Sequence, residues 1–471
     1  MTDLASSTSS LGMAAEHPDP AFPRFHPRPA QGWINDPNGV SYINGRYHVF
    51  FQYNPDSARH HRIHWGHVSS PDLAHWDEHP IALRPQEGGP DDYGCWTGVV
   101  TDDGGVPTAA YSGVHSDRGH SQVVIARGSA DLVTWEQTGH VAATMPSDSL
   151  VTAVRDPFLF HFRGKRYAIQ GAGLATGHAA LLLYSVDNLS DWKYQGIWLT
   201  SENPVAAEHA PAEIWECPQL VRVPSAGDAA EAWVMMFSLW LSGDDHEHAN
   251  GVGHLIGSLA EDPETGLPVF VPESGGKSDL GRDFYAPQIL QLDSPSGPKA
   301  LLWGWANEGP GRDGRRGRSQ DEIDAAGWAG VLTHPRLLSV EDGGLVVSPA
   351  PEIEAYRGPA VESAGATVFL PPFAEAVVTA GTADAAAGAS ATGTAAGEVR
   401  LVLRAGATQQ LVFAAPLSDE LRIFIDASLV EVYRSGSVAT TLRAYPAPGE
   451  EWSLELPEGA KASIWELKLP E

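Results

Sequence analysis

The sequence predicts an all-β protein with two domains, a propeller-like array of repeated units followed by a β-sandwich. Motifs recur about every sixty residues through the first 340 residues, and each precedes a strand-like apolar run. From about residue 341 the repeat stops, and alternating strands continue toward the C-terminus. A repeat of this length, built from short strands and turns, is typical of propeller blades or a similar array.

Two series of residues mark the repeat. Counting from Asp36 in steps of sixty reaches Trp96, Asp156 and Glu216. The second series consists of tryptophans that follow Ser/Asp-containing turns, and we interpret them as core residues: Trp76, Trp135 and Trp192. Equivalent positions of propeller blades lie on a ring around one axis. The three carboxylates are therefore expected to converge on one pocket, with Trp96 beside them.

Strands are predicted wherever apolar, aromatic or β-branched runs are bounded by Gly, Pro, Asn or Asp. In the repeat region these runs are 46–53, 122–127, 166–170, 181–185, 233–239 and 300–305. In the second domain they are 399–404, 410–414, 421–426, 429–433 and 462–467. Their alternation there favours a sandwich.

The predicted boundaries follow from these changes of pattern. Residues 1–22 form a disordered tail, 23–340 the catalytic propeller, 341–357 a linker and 358–471 the sandwich. The Ala/Gly/Thr-rich stretch between 380 and 397 is expected to be a flexible surface loop. Asp-Pro-Asn-Gly at 36–39 is expected to form a turn that holds Asp36 where a strand begins.

The charge of the chain restricts its partners. The formal net charge of the 471 residues is −29, so a nucleic-acid phosphate backbone or an anionic membrane surface would be repelled. A neutral substrate suits this surface better than a polyanionic one does. The hydrophobic content of 42% is ordinary for a globular protein and excludes global disorder.

The two cysteines and the N-terminal residues give an expectation for the cellular location of the protein. Cys95 and Cys217 are too few for a disulfide framework, and we interpret them as reduced, buried packing residues. Residues 1–20 lack a positive n-region and an apolar h-region, and no run of about 18 apolar residues exists. A cytoplasmic location is therefore expected.

Three carboxylates in one pocket, with aromatic and amide groups around them, fit glycoside hydrolysis. One carboxylate must be ionised, and a second must donate a proton to the leaving oxygen. Trp215 and Pro218 are expected to exclude water from Glu216, which makes it the candidate acid. Arg155 is expected to keep its neighbour Asp156 ionised.

Several motifs resemble those of glycoside hydrolase family 32, the family of invertases, levanases and inulinases. They stand in family order at 33–39, 51–55, 65–67, 95–98, 155–157, 215–218 and 284–288, with the sandwich matched at 421–426 and 431–433. The resemblance implies a five-bladed β-propeller followed by a C-terminal β-sandwich. It also implies cleavage of β-fructofuranosides with retention, without a metal or other cofactor.

Residue roles follow from the same resemblance. Asp36 matches the family nucleophile, Glu216 the acid/base and Asp156 the transition-state stabiliser. The positions at or near the family's substrate contacts are Asn35, Gln52, Trp96, Thr97, Arg155, Tyr285 and Trp305. The chain departs from the family where His60 and His61 replace a Trp-Gly pair, and Thr97 replaces a frequent serine.

Two clusters could carry other chemistry. Histidines at 60, 61, 64 and 67, and the acidic and histidine residues at 244–248, could suggest metal binding, but neither has a metalloprotease helix pattern. We interpret them as rim residues of the pocket. The basic stretch 312–318 is either a solvated loop or a phosphate contact for a phosphorylated sucrose.

The expected activity is therefore hydrolysis of sucrose and short fructo-oligosaccharides by a retaining β-fructofuranosidase. Within the family, the alternatives are an exo-levanase or inulinase, a transfructosylating enzyme or a sucrose-6-phosphate hydrolase. Outside it, the alternatives are an inverting arabinan-type hydrolase and a non-catalytic sugar-binding propeller. Homo-oligomerisation is left open.

Overall fold

The computed structural model describes residues 17–116, 120–226, 231–242, 250–295, 297–308, 317–380, 397–417 and 420–470. Five antiparallel units of four strands each are followed by two packed sheets. This confirms the predicted all-β class and the order of its two parts. Within these ranges no helix is long and apolar enough to span a bilayer.

Each unit is a blade of four strands. The four strands are consecutive in blades 1 to 4, whereas in blade 5 other elements separate the second strand from the third. Blade 1 contains β1 (Gly32–Ile43), β2 (Arg46–Asn54), β3 (His64–Ser70) and β4 (Asp77–Leu83). Blade 2 contains β5 (Gly94–Asp102), β6 (Pro107–Val114), β7 (Ser121–Gly128) and β8 (Trp135–Ala143). Blade 3 contains β9 (Val151–Phe162), β10 (Lys165–Leu174), β11 (Ala179–Asn188) and β12 (Asp191–Thr200). A short helix, α1 (Pro204–His209), leads to blade 4.

Blade 4 contains β13 (Ile214–Pro224), β14 (Glu231–Trp240), β15 (Val252–Glu261) and β16 (Pro268–Lys277). Blade 5 begins with β17 (Phe284–Ser294) and β18 (Gly297–Ala306). It is interrupted by α2 (Gln320–Ala326), β19 (Trp328–Ala329) and β20 (Val331–Leu332), and it ends with β21 (Arg336–Glu341) and β22 (Gly344–Pro349).

The first strands of the five blades form a closed ring. β1 contacts β5 and β17, β9 contacts β5 and β13, and β13 contacts β17. The segment between α2 and β21 joins blade 5 to blade 1, because β19 pairs in parallel with β1 while β20 pairs with β18. The inner edge strand of blade 1 is therefore covered by chain from blade 5.

The repeated tryptophans have the predicted structural role. Trp76 and Trp192 are buried and Trp135 is half-buried. Each indole N–H donates to a leucine carbonyl three residues earlier, in the turn between the third and fourth strands of blades 1, 2 and 3: Leu73 at 3.1 Å, Leu132 at 2.9 Å and Leu189 at 2.9 Å. The series therefore marks one turn of each blade.

Every first strand carries a β-bulge, in which two residues oppose one residue of the second strand. The bulged pairs are Asn35/Asp36, Trp96/Thr97, Asp156/Pro157, Cys217/Pro218 and Ala286/Pro287. Proline is tolerated at a bulge because no ladder hydrogen bond needs its missing N–H. The predicted turn at 36–39 is wrong, since β1 continues through Asp36 and the bulge redirects the backbone instead.

The domain junction lies later than the predicted boundary at residue 340. β22 pairs with β21 and extends blade 5 to Pro349, and a 3₁₀ helix over Pro351–Tyr356 then leads into the second domain. The short apolar run ending at Pro349 resembles a connector in sequence, but it is the outermost strand of the blade. At the other end, Phe22 of the predicted tail is buried against Trp328, while residues 1–16 lie outside the described ranges.

The second domain is a sandwich of two antiparallel sheets over one apolar core. One sheet has the order β23 (Arg357–Ser363), β32 (Ala460–Leu467), β25 (Phe373–Ala380), β28 (Leu421–Asp426), β29 (Leu429–Arg434) and β30 (Thr440–Arg443). The other has the order β24 (Thr367–Leu370), β31 (Glu451–Glu455), β26 (Glu398–Ala405) and β27 (Thr408–Pro416). Most of the predicted loop between 380 and 397 lies outside the described residues.

A buried charged network joins the sandwich to the propeller. Arg336 of blade 5 donates to Asp279 at 2.8 Å and to Glu431 of the sandwich at 2.7 Å. His26, from the segment before β1, bridges Asp426 at 2.6 Å and Glu431 at 2.8 Å. All five side chains are buried, so their charges are neutralised mainly by one another.

Arg336→Met is expected to lower the free energy of unfolding by about 3–5 kcal/mol, because it leaves Asp279 and Glu431 buried without their cation. Denaturant unfolding followed by tryptophan fluorescence measures the change. Arg163→Met is the control, since Arg163 pairs with Glu261 at the surface and should change stability by less than about 1 kcal/mol. Equal, small changes in both variants would contradict the role given to the network.

Candidate active site

The bulges bring the three predicted carboxylates to one end of the ring, but at three different positions. In strand register, Glu216 directly precedes its bulge, Asp156 is the first bulge residue and Asp36 is the second. The exact spacing of sixty therefore does not join equivalent positions. Convergence is nevertheless as predicted, because each bulge breaks the alternation of its strand near the same level of the channel.

Asp36 is held by three neighbouring side chains. Its Oδ1 accepts from the Asn35 amide at 3.0 Å, and its Oδ2 accepts from the Gln52 amide at 3.0 Å and the Thr97 hydroxyl at 2.5 Å. The Trp33 indole donates to Asn35 Oδ1 at 2.9 Å and fixes the orientation of that amide. The predicted contact residues Asn35, Gln52 and Thr97 are therefore brought together around the Asp36 carboxylate.

Burial raises the pKa of Asp36 to about 6, and the charge of Glu216 adds to the increase. Hydrogen bonds from Thr97, Cys217 and Asn35 act in the opposite direction because they favour the ionised form. Asp36 therefore loses its proton near pH 6, and its carboxylate is mostly ionised at pH 7 and above.

Glu216 is flanked by residues from blades 3 and 5. Arg155 Nε donates to Oε1 at 2.8 Å, and the Tyr285 hydroxyl donates to Oε2 at 2.7 Å. The expected covering by Trp215 is wrong, because Trp215 stacks on Phe237 with ring centroids 4.4 Å apart and belongs to the apolar core. Adjacent side chains of a strand point to opposite faces, which separates Trp215 from the glutamate.

Asp156 has a strained backbone and a single anchored oxygen. Its φ is +59°, a left-handed value that aspartate tolerates better than most residues. Its Oδ2 accepts from the backbone N–H of Cys217 at 2.9 Å, and no described residue donates a hydrogen bond to Oδ1. One carboxylate oxygen is therefore available to a ligand.

Arg155 does not keep Asp156 ionised in the way that the sequence suggested. Burial and the charge of Glu216 raise the pKa of Asp156, and Arg155 lowers it too little to compensate. The reason is geometric, since the guanidinium of Arg155 is directed to Glu216 across the blade boundary. Arg155 is thus shared between Glu216 and Asp156.

Bulge backbones are tied to the preceding blade in a repeated manner. The N–H of Asp156 donates to Ser112 Oγ at 2.8 Å, and that of Ala286 donates to Ser238 Oγ at 2.9 Å. In blade 4 the corresponding N–H belongs to Cys217, and its acceptor is Asp156 itself. Asp156 therefore takes the structural place of a serine hydroxyl as well as presenting a carboxylate.

Cys217 belongs to the site, although the sequence suggested only packing. Its Sγ lies 3.5 Å from Asp36 Oδ2 and 3.6 Å from Asp156 Oδ2. Burial and the facing carboxylates raise the pKa of this thiol, so it remains an S–H donor. The signal in the sequence was its position beside Glu216. Cys95, also buried and unoxidised, packs in a separate cluster.

Aromatic side chains form the wall above the carboxylates. Trp33 meets Trp305 edge-on at 5.7 Å between centroids, and His60 lies edge-on to Trp33 at 6.3 Å and to Trp96 at 5.5 Å. Tyr285 and Trp305 pack in one cluster with Cys217. The structure thus gathers every predicted site residue, and it adds Trp33 and His60.

The sequence matches the model of the glycosyl hydrolases family 32 N-terminal domain over residues 26–349. The chain belongs to glycoside hydrolase family 32.

Two bacterial enzymes resemble this chain at moderate identity. A raffinose invertase from Escherichia coli is 31% identical over 344 residues, which cover 71% of this chain and 66% of that protein. A sucrose-6-phosphate hydrolase from Zymomonas mobilis is 32% identical over 354 residues, which cover 71% of this chain and 63% of that protein. The matched region thus spans about two thirds of each relative.

A solved family 32 structure extends the likeness to both domains. The β-fructofuranosidase of Bombyx mori superposes with a TM-score of 0.76 at 24% identity, covering 97% of this chain and 96% of that chain. At this identity the likeness concerns the fold. It confirms the five-bladed propeller followed by a sandwich.

The two clusters with alternative chemistry do not compete with the family 32 site. Within the described chain, His67 packs on Phe50 in blade 1, away from His60 at the mouth, and the histidines at 60, 61, 64 and 67 do not converge. Residues 244–248 lie outside the described ranges. Of the basic stretch, Arg318 is buried against Glu308 and Trp328, and residues 312–316 lie outside the described ranges.

The pH dependence of the family 32 site follows from Asp36. With Asp36 as the nucleophile proposed below, only its ionised form reacts, so kcat/KM is expected to fall about tenfold per pH unit below the Asp36 pKa of about 6. Initial rates at low substrate concentration between pH 4 and 8 measure this limb. A rate that stays constant down to pH 4.5 would contradict the assignment.

Proposed function

We propose that this family 32 enzyme hydrolyses terminal β-D-fructofuranosides, chiefly sucrose and short fructo-oligosaccharides, with retention of configuration. The observation that supports the proposal is the set of three carboxylates, each with different hydrogen-bond partners, at one end of the channel. Retention requires a nucleophile and an acid/base on opposite sides of the scissile bond. The amide-held Asp36 and the arginine- and tyrosine-held Glu216 suit those two roles.

Asp36 acts as the nucleophile in this proposal. Its Oδ2 is surrounded by donors from Gln52, Thr97 and Cys217, whereas among the described residues Oδ1 accepts from Asn35 alone. Oδ1 therefore has the lone pair that is available to attack the anomeric carbon. The donors stabilise the carboxylate when it departs from the covalent fructosyl-enzyme.

Glu216 acts as the acid and then as the base. It protonates the glycosidic oxygen as Asp36 attacks, and it later takes a proton from the water that releases fructose. Tyr285 and Arg155 hold both of its oxygens, so the carboxyl group keeps one orientation through both steps. Tyr285 is buried and can also exclude water from the leaving oxygen.

Asp156 stabilises the transition state. With Oδ2 anchored to the Cys217 amide, Oδ1 can accept hydrogen bonds from the hydroxyl groups of the fructosyl ring. Such bonds strengthen as positive charge develops on the ring. The tryptophans at 33, 96 and 305 offer apolar faces and edges to the sugar.

The substrates named for similar proteins support a small sugar as the substrate. The Bombyx mori enzyme has been solved in complex with sucrose, and the two named relatives are described as acting on raffinose and on sucrose 6-phosphate. We propose that the enzyme acts in the cytoplasm on such sugars after their import. The second candidate function, hydrolysis of sucrose 6-phosphate, is favoured by the relative from Zymomonas mobilis.

Incubation with sucrose, sucrose 6-phosphate, levan and inulin, with products resolved by chromatography, tests the proposal. We expect fructose together with glucose or glucose 6-phosphate, and proton NMR should detect β-fructofuranose before mutarotation. Longer oligosaccharides at high sucrose would indicate a transferase, and rapid release from levan or inulin an exo-fructanase. An inverted first product, or no turnover of any fructoside, would overturn the proposal.

A further inference from the structure

A cavity of about 500 Å³ lies at the end of the ring opposite to the carboxylates. Its walls come mainly from the second halves of the first strands of blades 3, 4 and 5, together with β14. In each of these first strands, one lining residue stands six positions after a residue of the active site: Phe162 after Asp156, Arg222 after Glu216 and Gln291 after Tyr285. Six residues of a strand span roughly 20 Å, so the cavity is separate from the active site.

Aromatic side chains give the cavity part of its apolar surface. Phe162 and Trp233 both line it and are half-buried. The Arg163 guanidinium lies over the Phe162 ring, 5.6 Å from the ring centroid. Trp233 stands directly opposite Arg222 in the pairing of β13 with β14. No described residue accepts a hydrogen bond from the Trp233 indole N–H, so this donor is available to a ligand.

Arg222 organises the polar side of the cavity. Its guanidinium donates to Asp293 at 2.7 Å and to Glu231 at 3.3 Å, and its backbone N–H donates to Gln291 Oε1 at 2.8 Å. The Gln291 amide in turn donates to Asp293 at 3.1 Å. The side chain of Arg222 is 30% exposed, and the two carboxylates are more exposed than that. Donors and acceptors thus stand side by side in fixed positions, with free N–H groups and lone pairs on the open side.

The charges around the cavity favour an uncharged ligand. Arg222 is opposed by Glu231 and Asp293. Arg163 is opposed by Glu261. An anion would be repelled by the carboxylates, and a cation would be repelled by the guanidinium groups. Paired charges beside aromatic rings suit a neutral molecule with adjacent hydroxyl groups, because each hydroxyl group both donates and accepts hydrogen bonds.

We propose that this cavity binds a neutral mono- or disaccharide as a second, non-catalytic sugar site. Its volume of about 500 Å³ falls within the range of about 300–1,000 Å³ that is typical of small-molecule sites. Trp233 offers its ring face and its indole N–H to the sugar, while Arg222 and its two carboxylates bind the hydroxyl groups. The inference goes beyond the proposed function, because other residues at the other end of the ring form this site.

Equilibrium dialysis of radiolabelled sucrose against Asp36→Asn tests the proposal, because this variant is expected not to turn the sugar over. We expect two equivalents of bound sucrose per chain. Arg222→Met in the same background should remove one equivalent or weaken its binding roughly tenfold or more. Trp233→Leu removes the indole but keeps an apolar side chain, and it should have the same effect.

Arg127→Met is the matched control, because Arg127 is a similarly exposed arginine of blade 2 that pairs with Asp103. Both equivalents should be retained in this variant. In an otherwise wild-type chain, Arg222→Met should leave initial rates with dilute sucrose unchanged.

The number of equivalents separates this inference from the proposed function. A single equivalent that both cavity variants retain would overturn the inference and leave the proposed function intact. Two equivalents that both cavity variants retain would overturn the inference as well. A single equivalent that both cavity variants lose would support the inference and contradict sucrose binding at the carboxylates.

Discussion

Asp36→Asn is expected to lower kcat for fructoside hydrolysis by roughly four orders of magnitude or more. The amide cannot attack the anomeric carbon, and removal of a nucleophile typically costs this much. The substitution keeps the shape of the side chain, so the loss reports chemistry and not folding. Steady-state assays with sucrose measure it, and Asp187→Asn, an exposed substitution on blade 3, is the control.

The same variant should be more stable than wild type at pH 7. Since burial raises the pKa of Asp36 from 3.8 to about 6, the folded state binds a proton more tightly than the unfolded chain does. The ionised carboxylate therefore destabilises the fold increasingly as the pH rises from about 4 to 6. Removing the charge is expected to raise stability by about 1–2 kcal/mol, which thermal unfolding at pH 5 and 7 can measure.

A nucleophile variant that lost activity only through unfolding would show a lower melting temperature. A variant that retained substantial turnover would show that another group attacks. The first result would contradict the predicted gain in stability, and the second would contradict the role given to Asp36.

Glu216→Gln is expected to lower kcat with sucrose by about 10²- to 10⁴-fold, because the glycosidic oxygen then leaves without a proton. A β-fructofuranoside of 4-nitrophenol needs no such proton, so its first step should remain fast. Water attack on the fructosyl-enzyme would still lack its base. Rapid mixing should therefore reveal a burst of nitrophenol close to one equivalent per enzyme, followed by slow turnover.

Two controls make this result specific. Glu208→Gln alters an exposed glutamate on α1 and should leave both substrates at wild-type rates. Addition of azide to Glu216→Gln should speed the slow phase, because azide is a nucleophile that needs no base. Equal losses on sucrose and on the nitrophenyl fructoside would exclude an acid/base role.

Local sequence patterns were sufficient to predict the strands and the convergence of the three carboxylates, whereas the other site residues were inferred from the resemblance to glycoside hydrolase family 32. The alternating runs in both domains correspond to observed strands, such as 421–426, which matches β28. The bulges also had a signal, since Asp-Pro, Cys-Pro and Ala-Pro stand inside strand-like runs at 156–157, 217–218 and 286–287. A proline within a strand indicates a bulge or an edge, and each first strand carries a bulge.

Contacts between blades could not be predicted in the same way. Tyr285 and Arg155 both reach Glu216 from other blades, across 69 and 61 residues of sequence. The neighbour relation Arg155–Asp156 suggested an ion pair that the strand geometry does not form. Such pairings depend on the rotation between blades, which no local propensity encodes.

The spread of the site over five strands has an evolutionary consequence. All five first strands carry a bulge, yet the three carboxylates stand at different positions relative to it, because Asp36 and Asp156 lie within a bulge and Glu216 directly precedes one. A codon change at one bulge therefore replaces one functional group while the remaining four keep their supports. Descendants of such a protein can diversify their catalysis piecemeal, without first discovering a new architecture.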